Sequence, residues 1–151
     1  MRITFDVITE DSPNVWTLFS AQRMVQLTRL LRNINPKSVP VTDITLRQFF
    51  DHSGTIATAI NSNGNIVGIA TLILCHKIGW RTARVENVSV LKRYSGHNIG
   101  RGLTEMMIFR ARGLGISQID LICNPKRERA NELYEKLGFR IEQTNTRRLI
   151  L

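Results

Sequence analysis

Residues 85–103 read "VENVSVLKRYSGHNIGRGL", an apolar alternation that runs into three glycines and then into the start of a helical pattern. Glu86 to Leu91 has the period of a strand, and from about Ile99 onward "IGRGLTEMMIFRARGLG" has the period of a helix. Glycines between the two place small residues where a helix begins. There the backbone N–H groups lack partners and the helix end carries about half a positive charge, which suits a phosphate or pyrophosphate. The spelling is neither G-x-x-x-x-G-K-[ST] nor G-x-G-x-x-G, so the fingerprints of P-loop and dinucleotide sites are missing. Position favours a phosphate cradle, while the letters alone leave it open.

Outward from this stretch the chain reads as a mixed α/β domain. Towards the N-terminus, "TIATAINS" and "NIVGIATLILCHK" are strands joined at Asn63-Gly64, a hairpin signal, and "IGWRT" turns into "ARVENVSVL". Short turns make these strands antiparallel neighbours. "RITFDVIT" is a first strand, "NVWTLFSAQRMVQLTRLLRNI" a helix from Asn14, and "TDITLRQFFDH" a second helix capped by Thr42 or Asp43. Beyond the glycine loop follow a helix closed by Gly113 or Gly115, a strand "QIDLICN", a helix "KRERANELYEKLG" and two terminal strands, "FRIEQTN" and "RRLIL". The strand, helix, strand order permits one parallel pair. The expected architecture is a central mixed, mostly antiparallel sheet flanked by about four helices.

The 151 residues fit a single domain, residues 1–151, able to bury roughly 70% of its unfolded surface. With 21 Lys and Arg against 12 Asp and Glu, the formal charge is +9, which draws anionic partners. No basic and aromatic alternation surrounds Trp16 or Trp80, so nucleic acid is not the expected partner. Cys75 and Cys123 form no C-x-x-C pair, His52, His76 and His97 lack ligand spacing, and no apolar run approaches the roughly 20 residues of a membrane span. The expectation is a cytoplasmic protein of a reducing compartment, without metal or membrane contact.

A second segment, "ANELYEKLGF", makes the pattern specific. Together with the strand and glycine loop it resembles the GCN5-related N-acetyltransferase (GNAT) superfamily, whose loop usually reads R/Q-x-x-G-x-G/A and whose later signature reads A-x-x-L-Y-x-x-x-G-F. The resemblance implies an acetyl-CoA site formed by Val88, Ser89, Val90, Ser95, Gly96, His97, Asn98, Ile99, Gly100 and Arg101. Ser95 replaces the usual Arg or Gln and Asn98 the usual Gly; Asn tolerates a positive φ, and Lys92, Arg93, His97 and Arg101 are nearby sources of charge. Arg127 stands where the family often has Asn, leaving Asn124 and Asn131 as the amides expected to reach the cofactor.

The resemblance also implies the chemistry. A lysine-type amine with a pKa of about 10.4 is well under 1% free base at neutral pH, so a base is needed, and Glu86 occupies a position where several family members carry one. The competing role for Glu86 is an ion pair with Arg84. Attack forms an oxyanion, for which a backbone N–H near Val88 or Val90 is the implied donor, exposed by a bulge in that strand. Tyr134 is where the family places the acid that protonates the leaving coenzyme A thiolate, a step that works if the thiolate is still forming or if the site lowers the phenol pKa. The implied function is transfer from acetyl-CoA to a primary amine in a ternary complex. A small-molecule acceptor is favoured, acidic or phosphorylated in keeping with the charge, and a homodimer is compatible. Alternatives are a lysine or N-terminal protein acetyltransferase and a non-catalytic acyl-CoA sensor. The family builds acceptor specificity from the first two helices and their loop, here Phe19 to Val41.

Overall fold

The computed structural model describes residues 2–13, 15–143 and 147–150. In chain order these form β1 (Ile3–Ile8), a single helical turn α1 (Val15–Leu18), α2 (Ala21–Ile34), α3 (Asp43–Asp51), β2 (Thr55–Asn61), β3 (Ile66–Lys77), β4 (Trp80–Val90), α4 (Ile99–Gly113), β5 (Ile119–Leu121) and α5 (Glu128–Lys136). The strands make one sheet in the order β1-β2-β3-β4-β5. All neighbours are antiparallel except β4 and β5, whose connection through α4 is long enough for a parallel return. The mixed, mostly antiparallel sheet read from the sequence is the sheet observed.

Local chemistry sets the turns. Asn61 folds its side-chain oxygen back onto the N–H groups of Asn63 and Asn65, both at 3.0 Å, and Gly64 takes a φ of +76° between them. The β3–β4 turn is only Ile78 and Gly79, so β4 starts at Trp80 and is longer than the sequence suggested; the Lys77 ammonium lies 3.9 Å from the Trp80 ring centroid across that hairpin.

The helices cover both faces. The Ser89 hydroxyl donates to the Leu30 carbonyl of α2 at 2.9 Å, while the next residue, Val90, faces Gly100 of α4. Leu27 and Leu30 of α2 bury one layer of core. On the opposite face Ile99, Leu103, Met107 and Ala111, spaced four apart along α4, bury the other. Gly68 of β3 lets α4 approach, since a Cβ there would lie 3.0 Å from Leu103 and 3.2 Å from Ile99.

Three expectations are corrected. The helix expected to run from residue 14 to Ile34 breaks after Leu18, because Ser20 leaves the helical path and its hydroxyl accepts from the Arg23 N–H as the cap of α2. Phe19 is thereby turned into the core beside Phe50. Asn14 lies outside the described residues. "QIDLICN" yields a strand of only Ile119–Leu121, with Cys123 beyond its end. The terminal strands do not form in residues 139–143 or 147–150; Thr144 to Thr146 and Leu151 lie outside the described residues. Alternation defines a face but supplies no partner, and Ile141, Leu149 and Ile150 are all exposed.

Candidate active site

The site begins with a fault in a strand. Ile69 of β3 pairs with Ser89 of β4 and Thr71 with Glu86, so Ala70 faces two residues, Asn87 and Val88. This is the β-bulge implied by the resemblance, with Asn87 at a φ of +56°. A part-buried polar clamp holds it: the Asn87 amide donates to the Thr71 hydroxyl at 3.1 Å, and that hydroxyl donates to the Glu86 carbonyl at 3.1 Å.

One extra residue reverses which way the backbone groups point. Before the bulge, the Ala83 N–H donates to Gln118 on the β5 side; after it, the Leu91 N–H donates to Val67 on the β3 side. Alternation then turns the N–H groups of Val88 and Val90 towards the β5 side, where the ladder has already ended at Val85 and Leu121. The gap is a cleft of about 240 Å³. Glu86, Asn87 and Val88 form one wall, Ile122, Cys123 and Asn124 the other, with Tyr134 and Arg127 also lining it.

At the far end of β4 the glycine loop begins with a tight turn over Lys92–Tyr94. Gly96 has a φ of +82° and Asn98, the residue before α4, a φ of +57°. Asn98 therefore adopts the left-handed conformation in place of the usual glycine. The N–H groups of Gly96 through Arg101 make no hydrogen bond among the described residues, which leaves a fan of donors at a helix N-terminus.

The charges around this loop differ from expectation. Arg101 is engaged by Glu105, with Nε 2.8 Å from Oε1, and His97 Nδ1 faces the carbonyls of Ser95 at 3.1 Å and Tyr94 at 3.3 Å. With its proton on Nδ1, facing these two carbonyls, a neutral His97 ring has no N–H left for a ligand. Lys92 and Arg93 have no carboxylate partner among the described residues. With Arg29 and Asn33 of α2 and Ser95, they line an adjoining groove of about 760 Å³. Arg29 escaped the sequence reading; its only signal was helical spacing, four residues before Asn33 on one face of α2.

Tyr134 is buried on α5, its ring edge-on to Phe139 with centroids 6.0 Å apart. Burial pushes its phenol up to about 12; nearby Cys123 adds to the rise and Arg127 opposes it. A site that lowers the phenol pKa is therefore not what the fold provides. Glu86 lies across the cleft, half-exposed, 3.6 Å from Arg84. Such a solvent-exposed pair contributes at most about 1 kcal/mol and leaves the carboxylate available.

Two other expected residues face elsewhere. Ser89 is turned to α2 by its bond to Leu30, and its backbone pairs with Ile69. Asn131 donates its amide to the carbonyls of Asn124 and Arg127, both at 3.1 Å, and so clips the loop before α5. Asn124 does line the cleft, although its side-chain oxygen already accepts from the Lys126 N–H at 2.9 Å. No group of three or more metal-ligating side chains occurs among the described residues, and no described helix is long and apolar enough to cross a membrane.

The bulged strand thus parts from its parallel neighbour beside a loop of free N–H groups. Residues 24–139 match the acetyltransferase (GNAT) family, and the chain belongs to that family. It is 28% identical over 99 residues to a mycothiol acetyltransferase of Propionibacterium freudenreichii, a stretch covering 66% of this chain and 31% of that protein. An acetyltransferase of Trypanosoma brucei superposes with a TM-score of 0.78 at 20% identity, covering 99% of this chain and 100% of that one. The glucosamine-6-phosphate N-acetyltransferase of Arabidopsis thaliana gives 0.74 at 18%, over 97% and 98%. An aminoglycoside acetyltransferase from an uncultured soil sample, in complex with sisomicin, gives 0.78 at 16%, over 99% and 96%.

Proposed function

We propose that the chain transfers an acetyl group from acetyl-CoA directly to a primary amine held in the same cleft. The observation that carries this is the bulge at Asn87, which opens a cleft between β4 and β5 and aims backbone donors into it. The residues present fit the donor molecule. The free N–H groups of Gly96 to Arg101 suit its pyrophosphate, and the strand edge at Val88 and Val90 suits an extended amide-bearing arm.

Bound acetyl-CoA supplies an activated acyl group. Glu86 takes a proton from the incoming ammonium, directly or through water, because only the free amine is nucleophilic. A backbone N–H of Val88 or Val90 stabilises the negative charge that develops on the acyl oxygen. Tyr134, protonated at every physiological pH because burial holds it at about 12, donates its O–H to the sulfur as the thiolate forms. The net charge of +9 favours a small acceptor that carries an acidic or phosphate group.

Calorimetry with acetyl-CoA followed by thiol release across amino sugars, their phosphates, polyamines and peptides tests this. Saturable binding with thiol release on one amine class is the expected result. Binding without release on any amine would make the chain an acyl-CoA sensor, and no binding would overturn the site.

A further inference from the structure

The cleft contains a nucleophile that this mechanism does not use. Cys123 is a free, half-buried thiol on the wall opposite Glu86, just past the end of β5. Among the described residues its thiol makes one polar contact, a weak one to the Asn124 carbonyl at 3.7 Å. A second, independent feature points into the same space: Tyr134 is only 8% exposed, lines the cleft, and its hydroxyl makes no hydrogen bond among the described residues. A phenol whose ring is buried and whose hydroxyl opens on the cleft offers a donor to a ligand atom there. Cys123 and Tyr134 line the same cleft. If the phenol meets the coenzyme sulfur, as proposed above, that sulfur enters the cleft that Cys123 lines.

We propose that Cys123 is a modification site at which the enzyme captures coenzyme A as a mixed disulfide. The inference rests on the acetyl-CoA site proposed above and adds a redox control to it. The co-reactant is the symmetric disulfide of coenzyme A. Cys123 loses its proton to solvent and its sulfur attacks one sulfur of that disulfide. The S–S bond breaks, a new one forms between Cys123 Sγ and the bound coenzyme half, and the other half leaves as a thiolate that takes up a proton. One protein thiol is oxidised to the disulfide level and one coenzyme sulfur is reduced to a thiol, so electrons balance. The captured coenzyme fills the cleft and excludes acetyl-CoA until a thiol reductant reverses the exchange.

Cys75 is the internal control. It lies on β3, is also free and half-buried, and lines neither the cleft nor the cationic groove. The experiment incubates the chain, Cys123→Ser and Cys75→Ser with coenzyme A disulfide, or with oxidised glutathione, which lacks the nucleotide. Intact mass, peptide mapping and thiol-release activity are followed. Binding at the loop raises the effective concentration of the disulfide, so coenzyme A disulfide should react at least about tenfold faster than oxidised glutathione. One coenzyme should appear on wild type and on Cys75→Ser, and none on Cys123→Ser. Activity should fall with the modified fraction and return with dithiothreitol, and acetyl-CoA should protect. Equal labelling of Cys75, equal rates with both disulfides, or lack of protection although calorimetry shows acetyl-CoA bound would overturn the inference alone. Absence of acetyl-CoA binding would overturn the site and this inference together.

Discussion

Replacing Tyr134 by Phe removes one oxygen from the cleft and leaves the ring contact with Phe139 intact. With the phenol at about 12 and a thiol near 8.5, handing a proton to a fully formed thiolate would be uphill by roughly 5 kcal/mol. On the proposed mechanism Tyr134 would therefore act by donating a hydrogen bond while charge builds on sulfur, rather than by protonating a finished thiolate. Loss of one donor aimed at developing charge typically costs about 3 kcal/mol, or 100-fold to 1,000-fold in kcat. Acetyl-CoA affinity should move by less than about twofold, because a neutral thioester sulfur accepts weakly. Single-turnover thiol release together with calorimetry separates these quantities. A raised pKa favours the protonated phenol in the folded state, so that donor should remain in place up to about pH 10, and Tyr134 should add no alkaline fall in kcat below that pH. Turnover by Tyr134→Phe within about threefold of wild type would refute the role, and a Tyr-dependent alkaline limb centred below pH 10 would refute the burial effect.

Glu86→Gln should lower kcat/KM by about 100-fold at pH 7. The deficit should shrink about tenfold per pH unit as the amine loses its own proton, and a pH-independent deficit would count against a base. Ser95→Arg should tighten acetyl-CoA by about two- to fivefold, the range of an exposed ion pair; no gain in calorimetry would mean that Lys92, Arg93 and Arg29 already supply the charge. Asn98→Val forces a β-branched residue into the left-handed region and should lower stability by about 2 kcal/mol, read as a drop in the urea midpoint, and weaken acetyl-CoA binding as well. Gly68→Ala, whose Cβ would meet Leu103 at 3.0 Å, should cost about 1–3 kcal/mol in the same measurement.

Much of the fold was legible because its signals are local. The Asn63-Gly64 turn, the capping of α3 by Thr42, the end of α4 at Gly113 with Gly115 left-handed, and the end of α5 before Gly138 follow from nearest-neighbour chemistry. The break at Ser20 was local too, yet apolar spacing continued through it, and only the Ser20 cap and the burial of Phe19 distinguish two helices from one. The terminal strands were misread because alternation of side chains says nothing about whether a sheet edge is there to receive them.

The candidate site divides along the same line. The sequence by itself determined the order strand, glycine loop, helix, the left-handed tolerance of Asn98, and the two signatures that assign the family, since these depend on residue type and spacing. Only the tertiary structure decided which way each group faces. Contacts between β3 and β4 place the bulge at Asn87 and so free the strand edge of Val88 and Val90. Neighbours distant in sequence bury Tyr134 and raise its pKa, turn Ser89 to Leu30 of α2, and bring Arg29 beside Lys92. The physical reason is that propensity and spacing act within a few residues, whereas desolvation, register and charge proximity belong to residues that meet only when the sheet and its helices have packed.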